Sequence, residues 1–182
     1  MEFVIDFDAD PAGNSIADGT RLDGPDNPYA CWGVSFTALQ SQGVAHVWAR
    51  ASYYSVSTPN LVTLQHAPAW AGDADASGKI RIDFDIPVSL VSIDAKVVTP
   101  LEMCGRPGPG ALLEAYDRAG FLLQSAIFAL TRVPQTTGEL SVAQTLVVAS
   151  PGIAYVLMSC PSDPLGNSLT AFFDNFIFNR IG

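Results

Sequence analysis

Apolar and polar residues alternate with a period of two over most of this chain, the spacing that sends successive side chains to opposite faces of a strand. In VIDFDAD, Phe3, Ile5 and Phe7 point one way and Val4, Asp6 and Asp8 the other. The clearest case is KIRIDFDIP, where Ile80, Ile82, Phe84 and Ile86 form one face and Arg81, Asp83 and Asp85 the other, as in a half-buried strand. After Pro87, VSLVSIDAKVV places Val91, Ile93, Ala95 and Val97 on a common face. CWGVSFTAL, with Val34 and Phe36 together, and the aromatic, β-branched VWARASYYSVS add two strands. ALLEAYD and FLLQSAIFAL flank Asp117–Gly120, a hairpin turn with glycine available for positive φ. LSVAQTLVVAS and GIAYVLMS read as two strands separated by a turn at Pro151–Gly152. In LTAFFDNFIFNRIG, Asp174, Phe176 and Phe178 share one side and Phe173, Ile177 and Ile181 the other. No stretch sustains a helical stripe for three turns, although 36–42 and 168–173 can accommodate a short helical turn.

Short alternating segments punctuated by glycine- and proline-rich loops (DPAGNSIADG, residues 59–78, GRPGPG, PSDPLGNS) predict an all-β fold, a two-sheet antiparallel β-sandwich of jelly-roll kind. The 182 residues fit a single domain spanning 1–182. The first and last strands both carry a core face, so they are expected as neighbours in one sheet.

Composition narrows the partners. The chain is 48% hydrophobic and 15% charged with a net charge of −9, which excludes disorder and argues against nucleic acid or an anionic membrane surface, both of which attract a basic protein face. Cations, neutral sugars or a basic partner suit it, and the charge also serves solubility. No apolar run reaches the roughly 18 residues of a membrane span. Scarce lysine, three cysteines and abundant Gly, Pro, Ser and Thr favour a secreted or extracellular protein, although no signal peptide is visible. Cys104 and Cys160 both lie beside Pro/Gly breaks and are the favoured disulfide pair, with three unpaired thiols as the alternative; no CxxC spacing supports zinc or thioredoxin-like chemistry.

Two groups of residues carry candidate chemistry. Asp6, Asp8 and Asp10 sit near the start, and Asp174, Asn175 and Asn179 near the end. With the terminal strands adjacent they form an oxygen-rich cluster suited to calcium, which takes six to eight oxygen ligands; otherwise they are solvated strand-edge groups. The aromatic residues Trp32, Trp48, Tyr53, Tyr54, His66 and Trp70 concentrate in the first half. Sugar sites stack rings on exposed aromatic faces. Trp70, which no strand pattern demands, and Tyr54, Tyr53 and His66 are the ligand candidates, while Trp32 and Trp48 read as core. Catalytic patterns are weak: no GxSxG or HExxH is present. The paired carboxylates Asp83 and Asp85, or Glu102 and Glu114, fit a glycosidase only as well as a solvated face.

Four segments resemble a bacterial extracellular β-sandwich family: IDFDADPAGNSIADG with WGVSF, GKIRIDFDIPVSLVSIDAKVV, ALLEAYDRAGFLLQSA, and FFDNFIF. The family is similar to carbohydrate-binding-module or galactose-binding-like jelly rolls of secreted and PEP-CTERM-anchored proteins. The resemblance covers most of the chain, with GRPGPG and the cysteines outside its pattern. It implies a structural calcium between the first strand's loop and the last strand, held first by Asp8 and Asp174, with Asp6 or Asp10 behind them. The expected function is a non-catalytic binding module for carbohydrate, with calcium as a structural ion. A structural or adhesion domain recognising a cell-surface or matrix protein is the alternative, and a glycosidase or esterase a third.

Overall fold

The alternation becomes ten strands among the described residues, with no α-helix. The computed structural model describes residues 1–39, 46–51, 56–57, 60–65, 78–98, 110–128, 136, 141–161 and 170–180. In chain order the strands are β1 (Glu2–Ile5), β2 (Thr20–Arg21), β3 (Val34–Leu39), β4 (His46–Ala51), β5 (Asn60–Gln65), β6 (Lys79–Val98), β7 (Leu112–Tyr116), β8 (Leu122–Ile127), β9 (Gln144–Ser159) and β10 (Thr170–Arg180). A single 3-10 turn, Ala30–Trp32, precedes β3. Of the two helical expectations, 36–39 is strand and 170–173 is strand, and the rest of both ranges lies outside the described residues.

Every strand pairing is antiparallel, and the whole reads as a sandwich whose layers share two long strands. One layer runs β3, first half of β6, second half of β9, β7, β8. The other runs β2, β4, β5, β10, second half of β6, first half of β9. β1 joins β10 beyond β5, with Glu2 opposite Asn179 and Ile5 opposite Phe176, so the terminal strands are neighbours as expected.

Proline and glycine mark corners here rather than strand ends. β6 runs unbroken through Pro87, with register shifts between Asp83 and Val88 and again before Leu90. β9 continues through Pro151–Gly152, where Gly152 takes φ +84°. The expected turn at Pro151 is therefore a bend inside one strand, a local irregularity that redirects a strand without ending it. The same corner corrects the face of Ile86: Ile80, Ile82 and Phe84 are buried, but Ile86 is 50% exposed because the alternation breaks at the bend. The Asp117–Gly120 hairpin forms as read, with Gly120 at φ +87°.

The core lies between the layers. Val34, Phe36, Ile82, Phe84, Val156 and Leu113 come from one side, and Val62, Val91, Ile93, Val148, Phe173, Phe176 and Phe178 from the other. Phe84 meets Phe178 and Phe176 across it, with ring centroids 5.3 and 6.2 Å apart. In β10, Phe173 and Phe176 are both buried although three positions apart. Asn175, at φ +48°, forms a bulge there that shifts the phase by one residue. The sequence-based faces, which put Phe173 opposite Phe176, are corrected by that bulge.

Candidate functional site

The carboxylates near the two ends of the chain do converge on one region, through Val56, Ser57 and Asn60, residues that carry no candidate chemistry in the sequence. Asp8 Oδ1 accepts from the Asn60 amide at 2.7 Å. Asn60 is buried, and its Nδ2 donates to the carbonyls of Phe7 (3.0 Å) and Ile16 (2.9 Å). Two residues of the preceding connection, Val56 and Ser57, donate their amides to Asp174 Oδ2 at 2.8 and 2.7 Å. The Ser57 hydroxyl lies 2.9 and 3.0 Å from the two oxygens of the same carboxylate, and the Asn175 amide donates to Oδ1 at 2.8 Å. Asp8 and Asp174 thus grip the approach to β5 from both ends of the chain. Beside each stands a non-glycine residue in the left-handed region, Phe7 (φ +63°) and Asn175 (φ +48°). Such strain persists only where surrounding contacts over-determine the backbone.

The other two aspartates organise their own loop. Asp6 Oδ1 accepts from the amides of Asp8 and Ala9 at 3.0 and 3.2 Å. Asp10 Oδ1 accepts from the amides of Ala12 and Asn14, and Oδ2 from Asn14 Nδ2, all at 2.8 Å. These are the local side-chain-to-backbone bonds that aspartate forms in turns. Tyr29, fully buried, donates its hydroxyl to the Ala9 carbonyl at 3.1 Å.

Burial sets the electrostatics. It pushes Asp174 above the ordinary carboxylate value, outweighing the amides and hydroxyl that hold the charged form. Asp8 is raised by burial and, after the opposing Asn60 bond, by the charge of Asp6. Asp10 is lowered by its bonds to Asn14. The Tyr29 phenol is driven far up by burial and then by the negative charges of Asp6, Asp8 and Asp10.

As a calcium centre the set fits only in part. Asn60 Oδ1 is buried with no hydrogen-bond donor, an oxygen that a cation or a water would satisfy. Among the described residues, no donor meets the second oxygens of Asp6 and Asp8. Asp174 differs, because protein donors already fill its oxygens. No group of three His, Cys, Asp or Glu side chains positioned to hold a metal occurs among the described residues.

A second constellation lies on the outer face of the β6–β9–β7 layer. Register places Asp83, Tyr155 and Tyr116 in one row and Arg81, Leu157 and Glu114 in the next. The rings of Tyr155 and Tyr116 stack with centroids 4.9 Å apart and planes 6° from parallel. The Arg81 guanidinium lies 3.8 Å from the Tyr155 centroid. Since β9 runs between β6 and β7, Tyr155 is covered on one face by Arg81 and on the other by Tyr116. Arg81 is chelated by Asp83, with Nη2 at 2.6 Å and Nε at 2.9 and 3.0 Å, and this pairing raises its pKa further. Glu114 takes Lys79 Nζ at 3.2 Å and the Tyr116 hydroxyl at 3.1 Å. Alternation in KIRIDFDIP puts Arg81 and Asp83 on the polar face, but the stack of Arg81 with Tyr155 and Tyr116 depends on register, which a single strand does not carry.

The ligand candidates Trp70, Tyr54, Tyr53 and His66 lie outside the described residues. Trp32 and Trp48 are half-buried, Trp32 packing edge-on against Phe3 at 5.4 Å. Of the paired carboxylates, Asp83 is bound to Arg81 and Asp85 Oδ1 lies 2.9 Å from Arg180 Nη2, while Glu102 lies outside the described residues. His46 Nδ1 sits 3.1 Å from Asp23 Oδ2, which Arg21 shares through Oδ1. Cys31 is exposed and Cys160 buried; Cys104, and with it the expected Cys104–Cys160 pairing, lies outside the described residues.

No family model and no curated protein matches this chain. Among solved structures, it is similar to an arabinose-bound GH51 α-L-arabinofuranosidase (17% identity, TM-score 0.45), covering 90% of this chain but only 24% of that one. It is similar to the CBM22-1 xylan-binding domain from Paenibacillus barcinonensis (12% identity, TM-score 0.44, 99% and 95% covered). The K1 cleaved adhesin domain of Lys-gingipain from Porphyromonas gingivalis W83 is a third (13% identity, TM-score 0.43, 100% and 99% covered). Likeness at this level bears on neither ligand nor activity.

Proposed function

We propose that the chain is a non-catalytic, secreted binding module that takes carbohydrate. The observation that carries this reading is the Arg81–Tyr155–Tyr116 stack on the outer face of the β6–β9–β7 layer, with Asp83 and Glu114 beside it. A sugar needs donors and acceptors for its hydroxyls and an apolar surface for its C–H face, and this row presents all three. Trp70, Tyr54, Tyr53 and His66 are proposed as further contacts on the sequence argument alone. Affinity electrophoresis against a broad set of soluble polysaccharides tests the reading. Retardation by at least one, weakened by Tyr116→Ala, is the expected result; no retardation by any would remove it and favour a structural or adhesion domain that recognises protein.

Calcium belongs to the same proposal as a structural ion, with its place narrowed to the first loop. Asp8 and Asp6 would hold it, Asn60 Oδ1 would complete the set, and Asp10 would stand behind them. Asp174 would have to surrender its amide bonds to join. Melting in calcium and in excess EDTA checks this, because an ion that binds only the folded state must raise the melting temperature. The expected rise in calcium disappears in Asp8→Asn; equal melting in both conditions would remove the ion.

A further inference from the structure

The outer face that the carbohydrate reading rests on also constrains the class of sugar. In the two rows that hold the stack, Arg81 is engaged by Asp83 at 2.6 Å and Lys79 by Glu114 at 3.2 Å, and Arg118, in the adjoining turn, directs Nη2 to the Asp85 carbonyl at 3.4 Å. The two ion pairs sum to no net charge, on a chain whose total is −9. A uronate or sulfate arriving here would have to displace a carboxylate from its partner and approach a negative protein. Neutral hydroxyls need neither, since paired ions still offer outward lone pairs and N–H groups.

The face is also graded across its strands. The Arg81–Asp83 pair occupies β6, the Lys79–Glu114 pair spans from β6 to β7, the tyrosines stand on β9 and β7, and apolar side chains line the β8 edge. Leu122 pairs directly with Tyr116 and is 53% exposed, and Phe121 beside it is 71% exposed. Tyr155 has both ring faces covered, so it cannot stack on a ligand; the ring face available in this row is that of Tyr116 turned toward Leu122. A pyranose is amphipathic in the same sense, with a C–H face and a hydroxyl rim.

We infer that this face selects neutral glycans, with the sugar's C–H face on Tyr116 and Leu122 and its hydroxyls toward Asp83, Arg81 and Glu114. Tyr155 is then a positioning residue, holding Tyr116 and Arg81 apart at a fixed spacing. Asp83 acts as the selectivity residue, because it occupies the guanidinium that an acidic sugar would seek.

The test compares neutral polysaccharides (xylan, galactomannan, β-glucan) with polygalacturonate and a sulfated glycan, at low and high salt, by affinity electrophoresis and calorimetry. The expected result is binding to a neutral polymer that changes little with salt, because no charge is exchanged. Tyr116→Ala weakens it roughly tenfold or more, a loss of one stacking contact, and Tyr116→Phe weakens it less. Asp83→Asn, by freeing Arg81, gains salt-sensitive affinity for polygalacturonate that the parent chain lacks. Preferential binding of the acidic polymers by the parent chain would overturn the selectivity while leaving carbohydrate binding intact. Binding to none of the polymers would remove both. Neutral binding indifferent to Tyr116→Ala, in a variant whose melting is unchanged, would move the site off this face.

Discussion

Asp174 shows what a single buried carboxylate costs and contributes. It accepts from two amides and a hydroxyl of Val56 and Ser57, and replacing it leaves those donors short of acceptors. Asp174→Asn is expected to cost about 2–3 kcal/mol, the usual range for breaking buried bonds to a charged group, measured by urea unfolding. Its pKa is raised in the folded state, so the folded protein binds the extra proton. The stability it contributes is greatest below the unfolded value of 3.8 and falls as pH rises through the folded value. The difference between parent and Asp174→Asn should therefore be larger near pH 4 than near pH 7. Tyr29 gives the alkaline counterpart. Its folded pKa is raised far above 10.0, so stability is lost as pH rises past the unfolded value, at a limiting slope of about 1.4 kcal/mol per pH unit. Tyr29→Phe should flatten that slope, and a pH series of unfolding midpoints reads it directly.

Elements meet at corners whose demands differ. Gly152 in β9 has φ +84° and open space where a Cβ would go, whereas Gly33, at φ +63°, would drive a Cβ into the Asp85 carboxylate. Asp85 is held there by Arg180, whose Nη2 also donates to the Trp32 carbonyl. Gly152→Ala should cost about 1–2 kcal/mol, the penalty of left-handed backbone alone. Gly33→Ala should cost more, because the Asp85–Arg180 pair must also move, and chemical denaturation of the two variants separates strain from clash. The hairpin at Asp117–Gly120 was legible because turn chemistry is local. The corners at Pro87 and Pro151–Gly152 look like strand ends in the sequence but lie inside β6 and β9, because a proline or glycine marks a break in pairing and carries no information about whether the strand resumes.

Over the whole molecule, acidic residues outnumber basic ones 18 to 9, and the compact state bears the repulsion. Raising NaCl to about 0.15 M, where the Debye length is about 8 Å, should shift the urea midpoint upward, and a downward shift would show that the surface ion pairs outweigh the net charge. The pairings of β1 with β10, and of the Met1 amino group with the Arg180 carbonyl at 3.0 Å, tie the two ends of the chain into one layer. That closure brings Asp8 and Asp174 to the same segment.

The sequence by itself determined the strand-rich class, the sandwich, the core faces of Ile80–Phe84 and Val91–Val97, and the adjacency of the terminal strands, because period-two alternation is written residue by residue. Which residues cooperate was left to the tertiary structure. The sequence pointed to Asp8 and Asp174 but not to Ser57 or Asn60, since neither carries a chemical motif and their roles arise from partners 44 to 117 positions away. It put Arg81 and Asp83 on one polar face without the stack of Arg81, Tyr155 and Tyr116, because cross-strand register and the corners in β6 and β9 depend on how whole strands pack together, and alternation within one strand is blind to that.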